Sequence, residues 1–248
     1  MLNKREIQYI QSNWEKYFDA PPFNYCDRLC EECRFTHCCS LYYDEKKWRL
    51  KVLREGKDPD DPKLALQYLG ENFKKTFRML EKEAKKHGID FKELEFEDKD
   101  SPPPTHYKSS LSITANKWLK ISLNIYRRLI EEESPSYHFF SLYPQLSKFE
   151  HYAFLVSSKI YRASLFFHEK DSNDKEEGYK DSVKSACLAL CALRFCSNVI
   201  RSIAEIKVKD FGFECAEAII LGNKLEKQIK NKFPEVESYR SQIVFNSL

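Results

Sequence analysis

Glycine is scarce in this sequence, with six residues in a chain of 248. Turns and glycine-rich phosphate loops depend on this residue, whereas helix interiors avoid it. Neither a phosphate-binding loop nor a Gly-x-Ser-x-Gly nucleophile motif is present, so the common nucleotide-binding and hydrolase signatures are missing. Lys, Glu and Leu are abundant instead. This composition predicts an all-α protein.

A long apolar run is missing as well. The longest candidate, "ACLALCALRFC" at 186–196, is interrupted by Arg194, and a bilayer-spanning helix needs about 18 apolar residues. The N-terminal stretch is charged throughout and has no apolar signal-peptide region. The sequence therefore predicts a cytoplasmic protein with no membrane segment.

The charge balance and the aromatic content bear on the partners of the protein. The net charge of +3 is small for this length, and it gives nucleic-acid binding only weak support, because such binding depends on a concentrated basic surface. Aromatic residues are plentiful, with 18 Phe and 14 Tyr, and large aromatic side chains stabilise cores and interfaces. We expect a protein partner or a homo-oligomer.

Cysteine is the residue in which the sequence is rich. Five of the nine cysteines, together with one histidine, fall within "CDRLCEECRFTHCC" at 26–39. An odd number of cysteines does not suit a complete disulfide framework, and cytosolic thiols are kept reduced. The run is therefore predicted to bind a metal.

The spacing of the run favours an iron–sulfur cluster over zinc. Thiolates are soft ligands that suit both, but structural zinc sites commonly use two separated C-x2-C pairs. Here no second pair follows at that distance, because the next cysteine is Cys187. A short run of four thiolates can enclose a four-iron (4Fe-4S) cluster. The predicted ligands, with Cys38 or His37 as alternatives for the last of them, are Cys26, Cys30, Cys33 and Cys39.

The function predicted from this site is electron transfer, redox sensing or a structural role for the cluster. The alternative cofactor is zinc, which would make the chain a zinc-stapled protein-interaction module. No catalytic residue is assigned by either prediction.

The spacing also carries two resemblances. The C-x2-C-x5-C portion resembles the cluster-ligand run of helical DNA glycosylases, although the chain shows no helix-hairpin-helix glycine turn. The whole run is similar to an N-terminal CDR-x-CE-x-C segment of uncharacterised bacterial helical proteins. These resemblances imply a metal-binding motif of a shared type and no particular activity.

The helical periodicity and the positions of the prolines predict that the chain is divided into three parts. Residues 1–88 are predicted to form a cysteine-rich helical metal-binding module. Its helices are predicted over 3–18, from Ser40 to Gly56, and from the break at 58–62 to a cap at Gly88. The acidic and proline-rich residues 89–107 are predicted to be a linker. Residues 108–248 are predicted to form an antiparallel four-helix bundle.

Each bundle helix carries an apolar stripe at spacings of three and four residues. The aromatic stretch at 136–144 is predicted to be a loop between the first and second of these helices. The predicted stripes are Leu111, Ala115, Trp118, Ile121, Ile125 and Leu129; Leu146, Phe149, Ala153, Val156, Ile160, Ala163 and Phe167; Val183, Ala186, Leu190, Leu193, Ser197, Ile200 and Ala204; and Ala216, Ile219, Asn223, Glu226 and Ile229.

A third functional hypothesis comes from "RASLFFH" at 162–168. Arg162 and His168 fit the Arg-x4–6-His spacing of HEPN-like helical ribonucleases, in which the arginine binds the scissile phosphate and the histidine acts as acid or base. The pattern is permissive, and the alternative interpretation is an exposed Arg162 and a His168 that interacts with a helix C-terminus.

Overall fold

The computed structural model describes residues 24–88, 109–131, 137–166, 175–205 and 211–246. Within these ranges the chain is helical, and its only extended pairing is an isolated parallel bridge between Cys26 and Val244. The predicted all-α class is confirmed. The predicted helix at 3–18 and the predicted linker at 89–107 lie outside the described residues.

Six α-helices and three short 3₁₀ helices occur in the described ranges. The 3₁₀ helices span Cys30–Glu32, Thr36–Cys38 and Val236–Gln242. The α-helices are α1 (Ser40–Arg54), α2 (Pro62–Lys86), α3 (Ser110–Glu131), α4 (Tyr137–Phe166), α5 (Lys175–Glu205) and α6 (Gly212–Lys232).

The described residues divide into two compact units. Residues 40–88 form the hairpin unit, and residues 24–39 with 109–246 form the bundle unit. The cysteine run therefore belongs with the bundle, where Lys148 of α4 pairs with Glu32 at 2.5 Å. This corrects the prediction of a single cysteine module over 1–88, which followed chain order and took no account of long-range contacts.

Local signals define the ends of the hairpin helices. The Asp61 side chain accepts a hydrogen bond from the Lys63 amide at 2.8 Å, and Pro62 occupies the first turn of α2, where no amide hydrogen is needed. Gly56 and Gly88 follow α1 and α2 at φ values of 69° and 72°. Glycine adopts this left-handed conformation without strain, so the predicted end at Gly56 and cap at Gly88 are confirmed.

The predicted four-helix bundle is present in the bundle unit. Helix α4 packs against α3 and α5, and α6 closes the ring by packing against α5 and α3. One described segment, Gly178–Glu205, is long and apolar enough to cross a membrane by length and composition. Because 83% of its most apolar window is buried inside the protein, we interpret it as the core helix of the bundle.

The predicted stripes of α3 and α4 lie in the core, except that Ile121 is partly exposed. Phe167, the last residue of the α4 stripe, lies outside the described residues. In α6 the predicted stripe is wrong by one position at all but its last residue. The predicted Asn223 is exposed, and Gly222 is buried in its place. The buried positions of α6 are Cys215, Ala218, Gly222, Leu225 and Ile229.

Gly222 allows α6 to approach its neighbours closely. A Cβ atom at this position would lie 3.1 Å from the Ser197 hydroxyl oxygen and 3.3 Å from Nε1 of Trp118. Trp118 is fully buried, so its ring has little room to move away. The absence of a side chain at Gly222 is therefore a packing requirement.

We expect Gly222→Ala to lower the free energy of unfolding by about 1–2 kcal/mol, because overpacking a core costs more than the gain in helix propensity. Gly70→Ala is the matched control, since Gly70 lies within α2 and a Cβ atom added there would meet open space. Gly70→Ala should raise the free energy of unfolding by about 0.5–1 kcal/mol. Urea unfolding measures both, and equal signs would contradict the packing argument.

Candidate metal centre

The cysteine run is attached to the bundle by the buried carboxylate of Asp27. Its oxygens accept hydrogen bonds from the Tyr152 hydroxyl at 2.9 Å, and from the Asn246 backbone and side-chain amides at 2.6 and 2.8 Å. The Leu29 amide also donates to this carboxylate, at 3.3 Å. A buried carboxylate is stable only when such donors satisfy it. Asp27 thus joins the run to α4 and to the C-terminal residues.

Backbone hydrogen bonds fix the same attachment. The Asp27 amide donates to the Val244 carbonyl at 3.0 Å, and the Val244 amide donates to the Tyr25 carbonyl at 2.9 Å. Nε2 of His151 lies 2.5 Å from the Asp27 carbonyl oxygen, and a carbonyl can only accept, so the ring nitrogen donates. The start of the cysteine run is therefore held by both backbone and side-chain bonds.

Two short turns position the remaining cysteines. The first 3₁₀ helix begins at Cys30 and ends before Cys33, whose amide donates to the Cys30 carbonyl at 3.2 Å. Side chains three residues apart eclipse one another in a 3₁₀ turn. We infer that Cys30 and Cys33 project from the same side. Cys39 follows the second turn and is buried.

The thiols of Cys26, Cys33, Cys38 and Cys39 are neighbours in space as well as in sequence. Burial raises the pKa of Cys26, Cys33 and Cys38, and the nearby Cys39 contributes to the increase at each of the three. These thiols are therefore protonated at neutral pH and lack the lowered pKa of reactive cysteines. A metal that bound them as thiolates would displace protons.

Several N–H groups are directed at the sulfur atoms. The Phe35 amide donates to Sγ of Cys33 at 3.4 Å, and the Asn246 side chain is a further donor that lowers the pKa of that thiol. The Arg28 backbone amide does the same for Cys26. Arg28 lies at φ 63°, a left-handed conformation that is uncommon for this residue type. Such donors stabilise thiolate sulfur and tune metal centres.

The two alternative ligands both interact with backbone carbonyls. The Cys38 thiol is fully buried and donates to the Phe35 carbonyl at 3.4 Å. Nδ1 of His37 lies 3.1 Å from the Arg34 carbonyl, and the side chain is exposed. The thiol contact favours Cys39 over Cys38 as the fourth ligand, whereas the Nδ1 contact of His37 is one that metal-binding histidines commonly make and does not exclude His37.

The side chains of the cysteine run suit a metal centre by their chemical type. The neighbouring thiols of Cys26, Cys33, Cys38 and Cys39, with N–H donors directed at the sulfurs of Cys26 and Cys33, suit a soft cation or a cluster. Over residues 24–88 and the described parts of 109–246, however, no three side chains of His, Cys, Asp or Glu are arranged to hold an ion. A metal would therefore require the side chains of the run to converge further.

The proposed nuclease pair has a different environment. The Arg162 guanidinium forms a two-point ion pair with Asp181, through Nε at 3.1 Å and Nη2 at 2.8 Å. It also lies over the Tyr25 ring, 5.9 Å from its centroid. These contacts connect α4 to α5 and to Tyr25, which directly precedes the cysteine run. His168 lies outside the described residues.

Sequence reasoning missed Asp27, His151 and Asn246 as parts of this site. His151 is 124 residues from Asp27, and Asp27 and Asn246 are 219 residues apart. No local pattern links such positions. The one available signal is that Asp27 lies directly beside the first cysteine of the run.

Comparison with protein-family models, with curated proteins and with solved structures finds no match to this chain.

Proposed function

We propose that the bundle unit is an iron–sulfur protein in which Cys26, Cys30, Cys33 and Cys39 hold a four-iron cluster. The observation that supports this proposal is the position of Cys39, which is buried and lies near the thiols of Cys26, Cys33 and Cys38. Thiols that disfavour one another's charge gain stability when a cation neutralises them together.

The surroundings of the run suit a negatively charged centre held by thiolates. A four-iron cluster with four thiolates carries net negative charge, and its potential depends on hydrogen bonds to sulfur. Phe35 and Arg28 supply such amide donors. The Arg28 side chain and Lys159 also bring positive charge to Cys26. Zinc bound by four thiolates would also carry net negative charge, so these contacts support either centre, and the single short run of cysteines is what favours the cluster.

The exposure of the ligands favours electron transfer or redox sensing. Cys26 and Cys39 are buried, whereas Cys30 and Cys33 are partly exposed. A cluster at this position would be supported by the bundle on one side and accessible to a redox partner on the other. Four protein thiolates leave no open iron position, so the proposal includes no substrate chemistry at the metal.

Anaerobic purification followed by iron, sulfide and zinc analysis tests the cofactor. We expect about four irons and four sulfides per chain and visible sulfur-to-iron absorption. Stoichiometric zinc without visible absorption would instead favour the alternative function, a zinc-stapled protein-interaction module. A folded, colourless chain that takes up neither metal after anaerobic reconstitution would reject both.

A redox titration of the iron-loaded protein tests the role. A reversible one-electron step, followed by visible absorption and electron paramagnetic resonance, would support electron transfer or sensing. A cluster that is not reduced within the range of biological potentials, and whose removal unfolds the bundle, would identify a structural centre instead.

A further inference from the structure

The apolar face of α2 is exposed. Its five residues are between 48% and 68% exposed, and α2 contains no buried residue. Isolated exposed apolar residues are ordinary, but a continuous row on one helix marks an interaction surface. The row, named here the α2 stripe, consists of Leu66, Leu69, Phe73, Phe77 and Leu80.

The α2 stripe points away from the other helix of the hairpin. Helix α2 contacts α1 through Tyr68, whose ring stacks on Trp48 with centroids 4.5 Å apart. A groove of about 820 Å³ between the helices is lined by polar residues of α2 that include Asn72, Lys75 and Lys82. At 3.6 residues per turn, the stripe is centred roughly 160° from these residues. The hairpin therefore cannot bury its own apolar face.

We propose that the α2 stripe pairs with the α2 stripe of a second copy of this chain, with the two helices antiparallel. The spacing is symmetric about Phe73: Leu66 and Leu80 lie seven residues before and after it, and Leu69 and Phe77 lie four before and after. A twofold axis at Phe73 therefore places Leu66 against Leu80 and Leu69 against Phe77. This is the self-complementarity that an isologous interface requires.

The charges at the two ends of α2 agree with this orientation. Asp58, Asp60 and Asp61 precede or cap the N-terminus, whereas the last turns carry three lysines, Lys82, Lys85 and Lys86, and two glutamates, Glu81 and Glu83. Antiparallel pairing brings each acidic end beside the basic end of the other copy and also opposes the helix dipoles. Parallel pairing would place like charges together at both ends.

A membrane surface fits the same face less well. Amphipathic helices that bind anionic lipid carry basic residues along the border of the apolar face. Here Lys63 and Lys74 border the stripe, but Glu81 and Glu83 border it as well, one on each side. In the antiparallel pair, Lys63 comes to the level of Glu81 of the second copy on the same side of the stripe, where opposite charges attract.

Sedimentation equilibrium of the full-length protein over a wide concentration range tests the proposal. The stripe spans about four helical turns, which is small for a specific interface, so we expect a dimer with a micromolar dissociation constant. Phe73→Glu should raise that constant at least roughly a hundredfold, because it places two carboxylates on the twofold axis. The matched control is Phe213→Glu, an exposed phenylalanine on α6, which should leave the constant unchanged.

The orientation has a separate test. Leu66→Lys and Leu80→Glu should each weaken the dimer, and the double variant should recover it, because antiparallel pairing sets each new lysine against a new glutamate. Parallel pairing would instead set lysine against lysine and glutamate against glutamate, and the double variant would then dimerise more weakly than either single variant. The two positions are too far apart along α2 to interact within one chain.

Three outcomes would overturn the proposal. The first is a monomer at all concentrations that binds vesicles containing phosphatidylserine, which would assign the stripe to a membrane surface. The second is a monomer that Phe73→Glu destabilises and Phe213→Glu does not, which would show that the chain covers its own stripe. The third is a dimer that Phe73→Glu leaves intact.

Discussion

Replacing Asp27 with alanine is expected to lower the free energy of unfolding by roughly 4 kcal/mol, and to release the cysteine run from the bundle. The carboxylate receives hydrogen bonds from one hydroxyl and three N–H groups. Its removal leaves these donors without their acceptor in a buried site, at a cost of about 1 kcal/mol or more for each. Urea unfolding measures the loss.

Glu31→Ala is the matched control for Asp27→Ala. Glu31 lies in the same run but is exposed, so its removal should change the free energy of unfolding by less than about 0.5 kcal/mol. Asp27→Asn should give an intermediate loss, because an amide keeps the shape of the side chain but accepts at one atom only. Equal stabilities of the Asp27→Ala and Glu31→Ala variants would contradict the anchoring role.

The Asp27→Ala variant also tests whether metal binding depends on the attachment of the cysteine run to the bundle. If the run must be held against the bundle to bring its thiols together, Asp27→Ala should also reduce the metal content of purified protein. If the run encloses the metal without help, the variant should lose stability and keep its metal. Iron analysis beside the unfolding curve distinguishes the two cases.

Helix periodicity predicts those parts of the fold that depend on large apolar side chains. The α3 and α4 stripes contain Trp118, Phe149 and Leu146, whose burial dominates the packing energy, and each of them lies in the core. In α6 the buried face is formed largely by Cys215, Ala218 and Gly222. Such small residues give a weak periodic signal, so the more apolar Ile219 shifts the predicted stripe.

The start of α4 shows a second limit. The aromatic stretch at 136–144, which contains Pro144, is predicted to be a loop, but the helix begins at Tyr137 and includes the proline. Proline inside a helix removes one backbone hydrogen bond and crowds the preceding turn. Continuation through Pro144 therefore depends on the rest of the fold, which a local pattern does not contain.

Some features of the candidate site are visible in the local sequence, and others depend on tertiary contacts. The ligand spacing of Cys26, Cys30 and Cys33 is local and is visible in the sequence. The choice between Cys38 and Cys39 depends on which way each side chain leaves the second turn, and adjacent residues differ in direction even when their chemistry is the same. The partners of Asp27 depend on tertiary contacts across most of the chain, and no local pattern indicates them.

Cys39→Ser is expected to reduce the iron content of anaerobically purified protein at least roughly tenfold, by removing one of four thiolate ligands. Cys38→Ser is the matched control, because it makes the same change one residue earlier. The Cys38 thiol donates to the Phe35 carbonyl, and a serine hydroxyl can make the same bond. This variant should therefore keep its iron and its visible spectrum.

The two cysteine variants also test the position of the centre. Both thiols are buried, so a loss of iron that came only from disturbed packing would affect the two variants alike. Loss in Cys38→Ser alone would move the fourth ligand to Cys38 and contradict the role given to the Phe35 carbonyl. Retention of iron in both variants would remove Cys39 from the ligand set, and with it the observation on which the cluster proposal depends.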